Sequence, residues 1–166
     1  MIANFESLYL EELSPAKLSQ AYCLAKMAGE PRDEAAWLAR IKRWQDISNI
    51  NKKGVIALEN KDGYIISLLY YCVSSTPELG RILEVRDITM PLMFRASIVE
   101  HFVPIIDQLA GLLSCWTIFL PKPYDKPENK SAITLMAELE GFQIEENGIY
   151  RYLPAKQEPA LKVVTS

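Results

Sequence analysis

The stretch RILEVRDITMPLMFRASIVEHFVPIIDQLAGLL, residues 81–113, decides the fold of this chain. Its first ten residues predict a strand that ends at a Met-Pro turn. The apolar spacing from Phe94 to Leu113 predicts a long amphipathic helix with Leu112 on its inner face, kinked at Pro104. In α/β proteins an anionic ligand commonly binds where such a strand ends and a helix begins. Residues 84–99 therefore carry most of the information about function.

The composition is that of an ordinary globular protein. The 166 residues are 49% apolar and 23% charged, with a formal net charge of -3. This charge offers no polybasic surface for a nucleic acid, and no segment has the roughly 18 uninterrupted apolar residues of a membrane helix. The acidic start of the chain does not resemble a secretion signal. We expect a cytoplasmic protein without nucleic-acid or membrane partners.

The length favours one domain over residues 1–154, followed by a tail at 155–166. Three cysteines, Cys23, Cys72 and Cys115, lie far apart in apolar surroundings, which predicts buried thiols in a reducing compartment. No Cys-x-x-Cys pair or Cys/His cluster is present in the sequence, so no metal is expected.

The residues before the opening stretch predict an edge strand, two helices and two antiparallel strands. Ser14 is suited to capping the first helix, and Asp33 begins the second. The last of these strands is apolar on both faces and should be central. The predicted elements are strand 5–13, helix 15–28, helix 33–44, strand 54–60 and strand 64–74.

The residues after the opening stretch predict a buried strand, an irregular loop, a helix and a hairpin. The loop PKPYDKPENK holds three prolines and is incompatible with regular structure. The hairpin is expected to turn at Asn147-Gly148, a strong two-residue turn signal. These elements cover residues 115–120, 121–130, 131–140 and 144–153.

The resulting order β, α, α, β, β, β, α, β, α, β, β resembles that of the GNAT family, the acyl-CoA-dependent N-acetyltransferases. One local match supports the resemblance: Asn129, Ala132 and Gly141-Phe142 look like the family's fourth helix and the Gly-Phe after it. The resemblance covers about residues 1–153. It implies an α/β (α+β) fold with a mixed central sheet of six to seven strands and about four helices. It also implies that strands four and five splay apart.

The resemblance implies a binding place for acyl-CoA, either acetyl-CoA or another acyl-CoA, in the gap between those two strands. The pantetheine arm of the family's co-substrate pairs with the backbone of strand four, which corresponds here to Ile88, Thr89 and Met90. The pyrophosphate binds at the start of the next helix, on a loop of the form Q/R-x-x-G-x-G/A. No register of this sequence supplies a glycine to that loop.

Side chains in place of the glycines limit how closely a phosphate can approach the backbone. Arg95, Ala96 and Ser97 are implied as a looser anion site, with Arg95 supplying the charge and Asn129 as a further cofactor contact. The alternative for Arg95 is a solvated residue in the first turn of the helix.

For acid-base chemistry the family needs a carboxylate and a hydroxyl that face the gap. Glu84 is the candidate base, and its alternative role is a structural ion pair with Arg81 or Arg86. Regular strand alternation predicts that Asp87 points to the opposite face from Glu84. The family's usual tyrosine is replaced by Met136 or Ala137, so Tyr124 is the substitute candidate acid; its alternative role is packing on a proline.

Trp37, Tyr70 and Cys72 are candidates for an acceptor pocket, with core packing as the alternative for each. Two functions remain open. The first is an enzyme that transfers an acyl group from acyl-CoA to a small-molecule or peptide amine by direct attack, with Glu84 assisting deprotonation. The second is an inactive GNAT-like binding or regulatory module, associating as a homodimer.

Overall fold

The structure of the protein is a computed structural model, which describes residues 8–29, 33–45, 53–121, 138–139 and 141–154. Within these ranges the side chains of residues 8–12, 95, 96 and 99 are not described. Short 3-10 turns, Pro15–Lys17 and Leu92–Phe94, precede the first and third helices. The α-helices and strands of the described residues are β1 Leu8–Glu12, α1 Leu18–Met27, α2 Glu34–Trp44, β2 Lys53–Asn60, β3 Ile65–Thr76, β4 Gly80–Thr89, α3 Arg95–Leu112, β5 Thr117–Pro121, β6 Gln143–Glu145 and β7 Gly148–Tyr152.

The seven strands form one mixed sheet in the order β1-β2-β3-β4-β5-β7-β6. Neighbouring strands are antiparallel except β4 and β5, which are parallel and are connected by α3. A parallel pair needs such a crossover because its strands start at the same edge of the sheet. The α/β (α+β) class and the six to seven strands expected from the sequence are confirmed. The predicted fourth helix, residues 131–140, lies almost entirely outside the described residues.

Each face of the sheet is covered by its own helices. On one face, α3 buries Ile98, Phe102 and Ile106 against the inner side chains of β3, β4 and β5. On the other face, α1 and α2 cover β2 and β3, with Trp37 of α2 only 1% exposed. The central strand predicted from its two apolar faces is confirmed: Leu69 faces α3, and its neighbour Tyr70 faces α1 and α2.

A β-bulge interrupts the alternation of β4. Tyr71 of β3 pairs with Val85, and Tyr70 pairs with Asp87, so Arg86 is an extra residue with no partner of its own in this ladder. Each residue after Arg86 therefore points to the face opposite to the one that simple alternation predicts. The expectation that Glu84 and Asp87 occupy opposite faces is wrong, because the bulge places both on the face of α1 and α2.

The predicted helix starts were correct at one place and wrong at another. The Asp33 carboxylate accepts a hydrogen bond from the Ala35 N–H at 3.0 Å, as expected for an N-cap. The Ser14 side chain makes no capping bond, since the chain begins there with a 3-10 turn and the Ser14 carbonyl accepts the Lys17 N–H instead. The inward position predicted for Leu112 is also wrong, because this side chain is 72% exposed where α3 ends.

The final hairpin turns one residue earlier than predicted. Glu145 pairs with Gly148, so the two-residue loop is Glu146-Asn147. Gly148 belongs to β7, where a Cβ would lie 2.3 Å from Phe119 Cε2 and 2.6 Å from the Leu120 carbonyl oxygen. Close packing against β5, rather than a left-handed turn, therefore requires glycine at this position.

Candidate active site

The ladder between β4 and β5 is short. It contains three pairs, and the last joins Glu84 to Phe119, although β4 continues to Thr89 and β5 to Pro121. Beyond this pair, the described residues of β4 have no strand partner on the β5 side. The two strands therefore separate at their carboxyl ends, as the resemblance implied. Met93 is 72% exposed, and Trp116 lies at the amino end of β5, so neither side chain fills this gap.

Glu84 is at the centre of a row of side chains that crosses the sheet. Its partner on β3 is Cys72, and its partner on β5 is Phe119, which in turn pairs with Tyr150 of β7. Paired residues of adjacent strands point to the same face, so these side chains share one surface. The Phe119 and Tyr150 rings are in contact, with centroids 4.8 Å apart. The row thus places a carboxylate between a thiol and an aromatic wall, where the gap begins.

The Glu84 carboxylate is held by two neighbours. Arg86 Nη2 lies 2.5 Å from Glu84 Oε2, and the Cys72 thiol donates to the same oxygen over 3.6 Å. Arg86 Nε also donates to Cys72 Sγ at 3.2 Å. The Glu84 side chain is 13% exposed and that of Arg86 46% exposed. The structural ion pair left open by the sequence is present, yet the carboxylate remains beside the gap and retains a solvent-facing side.

Burial raises the pKa of the Cys72 thiol above its ordinary value of 9.0, and the nearby Glu84 charge also raises it. The hydrogen bond from Arg86 acts in the opposite direction, because it stabilises the thiolate. The same contact raises the pKa of Arg86 above its ordinary value, so this guanidinium stays charged. The thiol is therefore protonated at neutral pH, with a carboxylate and a cation beside it.

Asp87 lies on the open part of β4 and joins two regions of the site. Its Oδ1 accepts the backbone N–H of Ile88 at 2.9 Å, and its Oδ2 accepts Arg40 Nη2 of α2 at 3.0 Å. The Arg40 guanidinium also stacks on the Tyr70 ring, 4.6 Å from its centroid. Arg40 therefore fixes α2 over β3 and β4, on the face that carries Glu84.

The three predicted pantetheine residues lie beyond the last pair with β5: Ile88 and Thr89 end β4, and Met90 follows it. The Ser67 hydroxyl donates to the Thr89 carbonyl at 2.9 Å, so that carbonyl is directed towards β3. Because successive residues direct their backbone groups to opposite neighbours, those of Ile88 are directed towards the gap. Ile88 is thus the residue whose backbone carbonyl could pair with an extended arm, whereas its N–H is bonded to Asp87 Oδ1 in this structure. Met90 is 1% exposed and belongs to the core under α3.

The start of α3 fits a pyrophosphate less well than the gap fits an extended arm. In the 3-10 turn the Phe94 N–H donates to the Pro91 carbonyl at 3.0 Å, so this N–H is already used within the chain. Leu92 and Met93, 57% and 72% exposed, occupy the turn where the family has its glycine-rich loop. Ser97 is exposed in the first turn of α3. The side chains of Arg95 and Ala96 lie outside the described part of the structure.

The other predicted site residues divide between the core and the undescribed part of the chain. Trp37 is buried against Tyr22, with ring centroids 5.5 Å apart, and Tyr70 is 0% exposed beneath Arg40. Their burial favours the core-packing alternative that the sequence left open. Tyr124 and Asn129 lie outside the described residues. The prediction that all three cysteine thiols are buried is wrong for one of them: Cys115 is buried and Cys72 half-buried, but Cys23 is exposed.

Sequence reasoning did not assign Arg86 or Phe119 to the site. Arg86 depends on the bulge, which no local residue pattern signals. Phe119 depends on the register of the parallel pair, in which Thr117 lies opposite Ile82. Aligning the first residues of the two strands, Gly80 and Thr117, would instead place Phe119 opposite Ile82.

Two further observations concern ligands and partners. Among the described residues, no group of three or more His, Cys, Asp or Glu side chains is arranged to hold a metal ion, and no helix combines the length and apolarity needed to cross a membrane. A separate cavity of about 330 Å³ lies between the end of α3, Trp116 and Leu153. It is at the amino end of β5, opposite to the gap.

The architecture defines an α/β protein whose mixed sheet opens between its two parallel strands. No family model and no curated protein sequence matches the chain. Many solved structures do match. A GNAT family acetyltransferase from Staphylococcus aureus is 17% identical, with 75% of this chain and 95% of that chain covered and a TM-score of 0.58. Ard1 from Thermoplasma volcanium is 16% identical, with 89% and 98% covered and a TM-score of 0.56.

The NatC complex bound to Gag peptide and CoA provides a third match, 10% identical over 89% of this chain and 99% of that chain, with a TM-score of 0.56. At these identities the likeness concerns the fold. The chain has the GNAT fold.

Proposed function

We propose that this protein is an N-acyltransferase that moves an acyl group from acyl-CoA to a small-molecule or peptide amine. The observation that carries the proposal is the position of Glu84, on the last pair before β4 and β5 separate. A carboxylate there is next to a backbone edge that can pair with an extended donor. The matched structures include acetyltransferases and one complex bound to CoA, which supports the same class of reaction.

In the proposed reaction, Ile88 offers its backbone carbonyl to the donor arm. Glu84 accepts the proton that the acceptor ammonium must lose before its nitrogen can attack the acyl carbon. Arg86 orients the Glu84 carboxylate through its 2.5 Å contact. Phe119 and Tyr150 form an apolar wall that excludes water from one side of the row. The arginine at position 95 supplies charge for the pyrophosphate, and the reaction takes place in the cytoplasm.

The experiment that tests donor binding is calorimetric titration with acetyl-CoA, coenzyme A and a longer acyl-CoA. We expect micromolar binding that weakens in Arg95→Ala. Arg43→Ala, which removes the same charge from an exposed position in α2, is the matched control and should bind like the wild type. Absence of both heat and thermal stabilisation at millimolar ligand would overturn the proposal.

Exposed apolar side chains favour the alternative of a non-catalytic binding module. Phe94 stands where one register of the cofactor loop has its glycine, and the Leu92 and Met93 side chains before it are exposed. Ile144 on the edge strand β6 is 74% exposed. Exposed apolar side chains at a sheet edge favour association, here as a homodimer. Sedimentation of the wild type and Ile144→Asp tests this alternative. A dimer that the substitution dissociates, together with absent donor binding, would favour the module over the enzyme.

A further inference from the structure

Glu84 and Arg86 form an ion pair in which each member leaves part of its binding capacity unused. Their contact joins Glu84 Oε2 to Arg86 Nη2 at 2.5 Å, and Arg86 Nε donates to Cys72 Sγ at 3.2 Å. In the described part of the structure, neither Glu84 Oε1 nor Arg86 Nη1 has a hydrogen-bond or ion-pair partner. A carboxylate oxygen and the N–H donors of Nη1 are therefore available to one ligand.

The Arg86 guanidinium is the more accessible member of the pair. Its side chain is 46% exposed, against 13% for that of Glu84. The hydrogen bond to Cys72 raises the pKa of Arg86 above its ordinary value, so this group is charged at neutral pH. A guanidinium is a planar fork that binds a carboxylate through two parallel hydrogen bonds. Arg86 is thus suited to an anionic group that arrives from solvent.

The two residues lie at different distances from the gap between β4 and β5. Glu84 belongs to the last β4–β5 pair, beside the gap, whereas the Arg86 side chain extends towards β3, where it contacts Cys72. A ligand that both residues hold has its nitrogen at Glu84 and its anionic group farther from the gap, at Arg86. Direct attack requires this orientation, because the nitrogen must reach the acyl carbon of a donor in the gap.

The short contact between the two charges selects one class of amine. In an α-amino acid a single carbon separates the ammonium from the carboxylate, so the nitrogen and the nearest carboxylate oxygen are about 3 Å apart. The opposite charges of Glu84 and Arg86 are similarly close, at 2.5 Å. Asp87, the other carboxylate on this face, accepts bonds from Arg40 and the Ile88 N–H on its two oxygens. Glu84 is therefore the carboxylate with an oxygen left for the ammonium.

We propose that the acyl acceptor is a free α-amino acid, whose carboxylate binds Arg86 while its amino group binds Glu84; this inference rests on the function proposed above. The ammonium loses one proton to Glu84, and the nitrogen forms a bond to the acyl carbon as the carbon–sulfur bond of the thioester breaks. A second proton passes from the nitrogen to the departing CoA sulfur, and Glu84 returns its proton to solvent. The product is an N-acyl amino acid with its carboxylate unchanged.

The test compares amines that differ only in the carboxylate. Acetyl-CoA is incubated with the protein and, separately, with each common L-amino acid, its amide and its decarboxylated amine, and the N-acetyl product is measured by mass spectrometry. We expect acetylation of at least one free amino acid, with a kcat/KM about 10- to 100-fold above that of its amide. Calorimetric titration of the coenzyme A complex with the same two compounds should show tighter binding of the amino acid.

Arg86→Gln separates anion binding from a purely structural role. If Arg86 only orients Glu84, the substitution lowers kcat for the amino acid and its amide by the same factor. Binding of the carboxylate predicts instead that KM rises for the amino acid alone, so the preference over the amide disappears. Arg86→Lys should keep part of the preference, because it retains the charge and loses the fork. Arg43→Gln, at an exposed position of α2, is the matched control and should keep all of it.

Three results would overturn the inference and leave the proposed acyl transfer standing. These are equal use of amino acid and amide, a preference that survives in Arg86→Gln, and no acetylation of any amino acid by a protein that binds acetyl-CoA. Absent donor binding would overturn both proposals. Thermal unfolding curves check that Arg86→Gln is folded, and Arg86→Lys provides a second variant if it is not.

Discussion

Glu84 and Asp87 lie on the same face of β4, three residues apart, because the bulge at Arg86 shifts the alternation between them. Each carboxylate is paired with its own arginine: Glu84 with Arg86 from the same strand, and Asp87 with Arg40 from α2. The site therefore contains two carboxylate–arginine ion pairs, and the two carboxylates have different neighbours. Glu84 is beside the thiol, whereas Asp87 is bonded to the backbone at the open edge. Substitutions of the two carboxylates should have different effects.

Glu84→Gln keeps the size of the side chain but removes the proton acceptor. We expect the rate of acetyl transfer to an amine identified by an acceptor screen to fall by about 10²- to 10⁴-fold, with the affinity for acetyl-CoA little changed. Initial-rate kinetics and calorimetry measure the two quantities. Glu78→Gln, in the exposed turn before β4, is the control. Equal rates for Glu84→Gln and the wild type would exclude Glu84 as the base.

Asp87→Ala should strengthen the binding of coenzyme A by about threefold to tenfold, since it releases the Ile88 N–H from the 2.9 Å bond to Oδ1. Arg40→Gln separates this effect from the loss of the contact to α2, because it breaks the ion pair and leaves the carboxylate on Ile88. Titration calorimetry of both variants measures the affinity. Weaker binding by Asp87→Ala would show that the donor does not use this N–H.

Gly148→Ala should destabilise the protein by about 1–3 kcal/mol, because the added Cβ would overlap with the Phe119 ring and the Leu120 carbonyl. Gly111→Ala is the matched control, since a Cβ there meets nothing within 4 Å and alanine favours the helix by about 0.5–1 kcal/mol. Urea unfolding measures both free energies. A Gly148→Ala protein as stable as the wild type would contradict the tight packing between β5 and β7.

Stability should fall at alkaline pH because of the buried thiol of Cys115. Burial raises its pKa in the folded protein above the ordinary 9.0, so the unfolded chain releases the proton first as the pH rises. The stabilisation is thus complete below pH 9.0 and is lost through the folded pKa above it. Urea midpoints across this range should decline more in the wild type than in Cys115→Ala. Equal declines would assign the effect to other groups, such as Cys72.

Most of the architecture could be predicted from the sequence, because strong periodicity and caps act locally. The long helix after Met90, the central strand around Tyr70 and the cap at Asp33 all follow from such signals. The separation of β4 and β5 followed from the family resemblance and not from any residue pattern.

The composition of the site was harder to predict because it depends on contacts between distant segments. The bulge at Arg86 arises from the pairing of β3 with β4, and it changes the face of every later β4 residue. Position 148 requires glycine because Phe119 and Leu120 of the neighbouring strand β5 leave no room for a Cβ. The Asn147-Gly148 turn signal had suggested a different reason for this glycine. Local propensity carries no information about such partners, so these predictions failed where tertiary pairing determined the outcome.

The three-pair ladder between β4 and β5 also bears on how the molecule folds. Strands β2, β3 and β4 are joined by two short hairpins, whereas β4 and β5 can pair only after α3, which connects them, has been placed. Short-range hairpins form faster than pairings that enclose a long crossover, so the β5–β7–β6 half should dock last and be the first to open. The pairing between β4 and β5 ends at Glu84 and Phe119. Its transient opening would widen the gap and leave the β2–β3 and β3–β4 hairpins intact.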